Sequence, residues 1–422
     1  MVAARSAARP VEFSIYGFCL CGEAATLGVM CGWEGFLLRI RGWRAQARCP
    51  MLTIVVTAFA SALASCASPL EDLATGGPLL ISDYDVVGVF YGTDRVRKDG
   101  KDRPRYTTKR AKRLETGIAR VTVPKSHRVP EIERPAIYRV PLTRVVLYEE
   151  KEDPAKHFTI ASLDVLDKKT FASLVNRPFA SRSSKHALVF VHGFNTTFDA
   201  ALYRSAQLAY DLQFDGKMFM YSFPSRGQLG ATDYNYDRGS AEVAELYLKE
   251  FLEIITRQEG IESVSIIAHS MGNRLLMPVL ADLRKSGTST KIAQVILAAP
   301  DVSRDKFEQL AAAMSGVAKG VTLYAAGNDL ALQASRKYAG GVPRAGDVAE
   351  SGPLVVAGID TIDVTAVSTE VLSLNHHGYA EKTALLSDIA LLLKTGVRPP
   401  ERRLPILRRI KAQSGPYWRY PG

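Results

Sequence analysis

The stretch Val264-Ser265-Ile266-Ile267-Ala268-His269-Ser270-Met271-Gly272-Asn273 decides how the rest of the chain is read. An apolar, β-branched run gives way to Ala-His-Ser-Met-Gly, and an apolar segment of helical spacing begins near Arg274. A sharp strand-to-helix turn of this kind lifts a serine hydroxyl clear of the sheet edge. Small neighbours, here Ala268 and Gly272, let other backbone come close. The following helix aims its first amides and the positive end of its dipole at any oxyanion formed there. Ser270 is therefore the candidate nucleophile. The usual pattern has glycine at both small positions, so Ala268 is a departure from it. A serine in an ordinary strand-turn-helix is the plainer alternative.

Outward from this turn, strands alternate with helical patterns from Lys185 onward. Ala187 to Val191 is a continuous apolar run, suited to a strand buried on both faces, and it breaks at His192-Gly193-Phe194-Asn195. Helical spacing over 200–212 leads to a strand at 218–223 that ends in Pro224-Ser225-Arg226-Gly227. A polar loop containing Asp233, Tyr234, Tyr236 and Asp237 follows, then an amphipathic helix over 241–257. After the nucleophile strand come a helix over 275–285, a strand at 292–297 ending in Asp301, a helix over 306–314 and a strand at 321–325 ending in Asp329. A Gly- and Pro-rich loop leads to a last strand at 361–367, then His376-His377 and a closing helix over 380–393. Repeated βα units give a mostly parallel sheet with helices on both faces, an α/β fold. Ahead of this core, strands are expected at 84–91, 117–123 and 140–148, with a short helix at 171–175. These make a strand-rich N-terminal extension of the sheet.

The front of the chain reads differently. All five cysteines, Cys19, Cys21, Cys31, Cys49 and Cys66, fall within its first 66 residues, so the body has neither a disulfide nor a thiolate metal site. Arg39, Arg41, Arg44 and Arg48 precede an apolar run from Leu52 to Ala64 that closes on Leu63-Ala64-Ser65-Cys66. A basic stretch, a short apolar stretch and small residues at a cleavage point make a secretory signal, too short to span a membrane. Leu-Ala-Ser-Cys resembles a bacterial lipobox, which implies that Cys66 becomes the acylated first residue of a lipoprotein in the cell envelope, on the periplasmic or outer-membrane face. Signal peptides begin a chain, and the irregular residues ahead of this one are read as a non-native or n-region extension, with translation starting near Met30 or Met51. The resulting division is 1–50 extension, 51–66 signal segment, 67–180 strand-rich extension, 181–395 core and 396–422 a basic, Pro-containing tail.

The chain carries a formal net charge of +11. Without residues 1–66 the net is +8, much of it between Arg95 and Arg113 and again between Arg402 and Lys411. For a lipid-anchored protein such patches can lie against anionic headgroups, although solvated loops are the commoner reason for them. Nucleic-acid binding needs a recognisable module beside the charge, and none is present.

In an open parallel sheet, ligands gather at the carboxyl ends of the strands, where all the suggestive polar residues fall. Acyl transfer needs a nucleophile, a base, a carboxylate to orient the base and two amides for the oxyanion. Chain order Ser, Asp, His assigns His377 as base, with His376 its competitor, and Asp329 as the orienting acid, with Asp301 the alternative. Helix N-capping is the plainer role for Asp301. The oxyanion donors are expected to be the amides of Met271 and Phe194. Gly193 permits a close turn, and His192 is expected to hold loop backbone rather than act as base. Ser225 and Arg226 are candidates to line the substrate site, although an Arg–Asp pair bracing that loop is the simpler reading.

Together, His192-Gly193-Phe194-Asn195, Phe223 to Gly227, Ala268 to Asn273, Ala298-Ala299-Pro300-Asp301 and His377-Gly378-Tyr379 resemble a bacterial α/β-hydrolase family of unassigned function, over about residues 84–393. The resemblance implies an α/β-hydrolase fold and a serine hydrolase, without metal or organic cofactor. The expected activity is cleavage of carboxylic esters, of a small acyl or lipid substrate, through an acyl-enzyme. A hydrolase-like envelope scaffold without turnover, and an acyltransferase or peptidase using the same triad, are the alternatives.

Overall fold

The computed structural model describes residues 83–139, 146–177, 184–228, 230–287, 291–328, 332, 335–336, 341–367 and 379–421, all within the unit Cys66–Gly422. The expected extension and signal segment with Cys66, and the candidates Asp329, His376 and His377, lie outside the described residues.

The strands, in chain order, are β1 (Tyr84–Lys98), β2 (Arg105–Pro124), β3 (Ile137–Arg139), β4 (Val146–Glu149), β5 (Thr159–Leu166), β6 (His186–Val191), β7 (Lys217–Ser222), β8 (Ser263–His269), β9 (Ile292–Ala298), β10 (Gly320–Ala325), β11 (Val348–Ala349), β12 (Gly352–Pro353), β13 (Asp360–Asp363), β14 (Arg408–Ala412) and β15 (Gly415–Arg419). The helices are α1 (Lys168–Asn176), α2 (Phe198–Asp211), α3 (Ala231–Thr256), α4 (Gly272–Lys285), α5 (Arg304–Ala313), α6 (Tyr379–Thr395) and α7 (Pro400–Arg403).

Eleven strands form one sheet in the order β14-β15-β13-β10-β9-β8-β6-β7-β1-β2-β5. From β15 to β1 every pairing is parallel, and the flanks are closed by antiparallel β14 on one side and β2 and β5 on the other. Successive side chains of a strand point to opposite faces, so the continuous apolar runs feed two cores. Val189, Val191, Ile266 and Ala268 join a cluster with Leu248 and Phe251 of α3, Leu275 and Leu280 of α4 and Phe307 of α5. Leu188, Phe190 and Ile267 join the opposite cluster with Ala201 and Leu202 of α2 and Leu385 and Ile389 of α6. Strand β8, which leads into Ser270, is thereby gripped from both sides, which fixes where its carboxyl end emerges. Among the described residues no helix is long and apolar enough to cross a membrane.

Several expectations are corrected. The polar loop expected around Asp233 to Asp237 is the first turns of α3, because Tyr234 and Asp237 sit three residues apart on one helical face and are both buried. The segment 396–422, expected as a tail, contains α7 and the two strands that complete the sheet, with Ile362 of β13 paired to Trp418. Trp418 and Tyr420 are buried, so these aromatic residues outweigh the surrounding arginines. The last core strand is shorter than expected, ending at Asp363, where the Asp363 side chain accepts from the Thr365 amide and turns the chain. In the expected strand over 140–148, the described part is β4, paired with β3 as a separate hairpin. The pattern-poor edge strand β5 was not anticipated; most of its residues are only half buried.

Candidate active site

β8 ends at His269, α4 begins at Gly272, and Ser270 between them has φ 51°. A non-glycine residue in the left-handed region is strained, and it persists only when the surroundings hold it there. They do so here. The Ser270 amide donates to the Ala298 carbonyl at 2.9 Å, and its carbonyl accepts from the amides of Asn273 and Asp301, each at 3.1 Å. Asn273, fully buried, adds its side-chain amide to the carbonyls of Ala268, Ser270 and Ala298 at 3.1, 3.1 and 3.2 Å. That one side chain fastens the turn to both β8 and β9. Its role was not read from the sequence, where a buried asparagine gives no periodic signal.

Two glycines let the turn meet the loop after β6. A Cβ at Gly272 would fall 2.6 Å from the His192 carbonyl oxygen and 2.7 Å from that of Val191; one at Gly193 would fall 3.0 Å from the Ser270 Cβ. The methyl of Ala268, by contrast, is accommodated in the buried core. This close approach brings the backbone of Gly193, and with it the loop that continues to Phe194, up to the serine turn. Among the described residues the amides of Met271 and Phe194, the expected oxyanion donors, have no hydrogen-bond acceptor.

The loop from His192 to Thr196 is held by charge and hydroxyls. Arg95, near the end of β1, is buried, and its guanidinium donates to the carbonyls of Thr196 at 2.8 Å and Ser225 at 2.9 Å and to Ser222 Oγ at 2.9 Å. The His192 Nδ1 lies 2.8 Å from the Gly193 carbonyl oxygen, which can only accept, so Nδ1 carries the proton. Nε2 then accepts from Ser222 Oγ at 3.0 Å, completing a chain from Arg95 through Ser222 to His192. Burial, with the Arg95 charge beside it, lowers the His192 pKa to about 3. A neutral imidazole with its lone pair engaged and its ring stacked on Phe223 is a brace, as the sequence order implied.

Ser225 and Arg226, the residues expected to line the substrate site, both take part in bracing this loop. The buried Ser225 hydroxyl donates to Asp237, accepts from the Thr196 amide at 3.0 Å, and sits beside an Asp237 carboxylate that also accepts from the amides of Asn195 at 3.2 Å and Arg226 at 2.8 Å. The Arg226 guanidinium pairs with Asp233 at 3.0 Å. The carboxylate at the centre belongs to α3, which is why the helix had to replace the expected loop.

Asp301 is not the N-cap of α5; that position is Ser303. Its buried carboxylate accepts from the Tyr234 hydroxyl at 2.9 Å and from Ser335, and Arg344 lies 3.2 Å away. Burial raises the Asp301 pKa and Arg344 opposes that rise. Tyr234 also packs its ring edge against Phe194 at 5.5 Å, so this cluster supports the 192–196 loop from the side. The strands that lead towards Asp329 and the His376–His377 pair, β10 and β13, are adjacent and parallel and open at the same edge as β8. Their ends are tied by Gly327 N donating to Thr365 Oγ1 at 3.0 Å and by Asn328 Nδ2 donating to the Thr365 carbonyl at 2.9 Å. Among the described residues no group of three His, Cys, Asp or Glu side chains is placed to hold a metal ion.

A strained serine at the carboxyl end of a central parallel strand, followed at once by a helix, defines the α/β-hydrolase class. Residues 167–394 match the family described as alpha/beta hydrolase of unknown function (DUF900), and the chain belongs to it. Among solved structures it is similar to a fungal esterase from Rhizomucor miehei, at 11% identity and a TM-score of 0.33, over 83% of this chain and 92% of that one. It is also similar to an esterase from Pyrobaculum calidifontis, at 12% identity and a TM-score of 0.29, over 82% of this chain and 98% of that one. No curated protein matches.

Proposed function

We propose that this hydrolase cleaves carboxylic esters through an acyl-enzyme on Ser270. His377 takes the serine proton as Oγ attacks the carbonyl carbon, with His376 the alternative base. Asp329 orients the imidazole. The negative charge that develops on the carbonyl oxygen is received by the Met271 and Phe194 amides. The histidine then protonates the departing alcohol, and water, deprotonated by the same group, releases the acid and restores the serine. Asp329 is preferred to Asp301 because the Asp301 carboxylate already serves Tyr234, Ser335 and Arg344.

The observation that carries this reading is the positive φ of Ser270, together with the Met271 and Phe194 amides that have no acceptor among the described residues. Strain and unpaired donors each cost free energy, and their coincidence at one point is what a site that uses them in a reaction retains. The envelope lipoprotein reading belongs with it: Cys66 acylated, and the substrate a small acyl or lipid ester met at the membrane. A fluorophosphonate probe should label the full chain at Ser270, with p-nitrophenyl acyl esters as reporters of turnover, and Ser270→Ala should abolish both. Equal labelling of the variant would refute the assignment. Mass spectrometry of the mature protein should find a diacylglyceryl group on Cys66.

A further inference from the structure

The hairpin of β1 and β2 runs past the edge of the sheet, carrying the arginines and lysines that stood out in the sequence. Its two strands do not match in length. Between the pairs Thr93–Glu115 and Arg95–Arg110, two steps along β1 face five along β2, and the ladder slips again before Arg97–Tyr106. The surplus residues of β2 bow outward. A cavity of about 480 Å³ lies against the bowed stretch, within the size range of small-ligand sites.

Its lining is strongly basic. Arg97, Arg110, Lys112 and Arg113 face it, with Asp99 and Glu115 the acidic members. Arg95 contributes to the wall, but its guanidinium is spent on the loop carbonyls described above. Arg113 donates to Glu115, and Arg97 lies 3.6 Å from the same carboxylate, so one acid is shared by two cations. Asp99 is almost fully exposed and only 3.8 Å from Arg97, a contact that solvent largely screens. The Arg110 guanidinium hydrogen-bonds to neutral acceptors, Ser240 Oγ at 2.8 Å and the Tyr236 carbonyl at 2.9 Å, both on α3, and stacks on the Tyr236 ring at 4.7 Å, with the buried Asp94 carboxyl in its electrostatic field. Among the described residues Lys112 has no ion pair. The cavity is left with positive charge that the protein does not neutralise, and with one guanidinium held in place on a helix.

We propose that this cavity is a binding site for an anion bearing a phosphate group, separate from Ser270. A guanidinium fork matches the geometry of phosphate oxygens, and a doubly charged anion gains most from several cations facing a single concavity. Preorganisation of Arg110 by α3 lowers the cost of ordering it on binding. A free phosphate ester and a phospholipid headgroup present the same chemistry, and the hairpin presents the site outside the sheet, where either can reach it.

The test is calorimetric titration of the full chain with glycerol 3-phosphate at low salt, beside flotation with phosphatidylglycerol vesicles and with phosphatidylcholine vesicles. Glycerol 3-phosphate should bind in the millimolar range or tighter. A Lys112→Ala/Arg113→Ala double variant, both exposed positions, should weaken it at least tenfold with an unchanged melting temperature. The charge-matched control Arg408→Ala/Arg409→Ala in β14 should weaken it less than twofold, and Ser270→Ala should leave it unchanged. Binding to phosphatidylglycerol vesicles without binding to the free ester would assign the headgroup as the source, provided the same double variant abolishes it. No binding in either arm, or equal losses in the two double variants, would overturn the proposal.

Discussion

Gly272 stands so close to His192 that a Cβ at position 272 would lie 2.6 Å from the His192 carbonyl oxygen. The obstacle is backbone on both sides, the end of β6 and the start of α4, so neither can turn away as a side chain would. Gly272→Ala should therefore cost about 1–3 kcal/mol, measured by urea denaturation, because the helix start must shift. The same shift displaces the Met271 amide, and the rate of fluorophosphonate labelling should fall at least tenfold. An alanine variant with normal labelling would mean that the contact does not set the site.

Arg95 lies on β1, outside the segment that matches the family, yet its guanidinium holds the carbonyls of Thr196 and Ser225. Arg95→Met keeps much of the volume and removes the donors, leaving buried carbonyls and Ser222 unsatisfied. The expected loss is about 2–4 kcal/mol. If Arg95 positions the oxyanion loop, kcat for a p-nitrophenyl ester should drop more than tenfold with KM within about threefold, at a temperature where the variant is fully folded. A purely structural residue would leave kcat intact under those conditions.

Asp94 gives a pH signature. Its carboxyl is buried, accepts one hydrogen bond from Tyr221 at 3.0 Å, and its other oxygen has no hydrogen-bond partner among the described residues. Burial raises its pKa from 3.8 to about 7. Between those values the folded state holds a proton that the unfolded chain releases, so this group's contribution to stability declines as pH rises from about 4 to 7. Asp94→Asn should raise the melting temperature at pH 8, by an amount equivalent to at most about 4 kcal/mol, and have little effect at pH 4. An unchanged melting temperature at pH 8 would show that the carboxylate is solvated or paired.

His192 has the opposite sign. Its pKa falls from 6.5 to about 3 on folding, so the unfolded chain binds the extra proton between those values. The neutral imidazole contributes its full stability above pH 6.5 and loses it progressively as the medium is acidified towards pH 3. Because the Asp94 contribution is common to both proteins, the denaturant midpoint of the wild type should lose more than that of His192→Gln, itself less stable at pH 7, as the pH falls across that window. Parallel pH profiles would count against a buried neutral histidine.

How much was legible in the sequence follows from what each signal depends on. The parallel core, the strand-to-helix turn at Ser270 and the proximity of the 192–195 loop could be read because long apolar runs and paired glycines act locally. The helical start of α3 could not, because Tyr234 and Asp237 look polar until one sees that both are satisfied in the interior, Asp237 by Ser225 and Tyr234 by Asp301. Nor could the C-terminal strands, whose pairing with β13 depends on Trp418 and Tyr420 finding a surface formed by distant residues.

The order of the βα units and the serine that follows the central strand are written locally in the chain, since periodicity and glycine placement fix local backbone. Which side chains brace that serine is settled only once distant segments pack together. Arg95, Asn273, Asp237 and His192 come from four separated parts of the chain, and burial alone makes their hydrogen bonds obligatory.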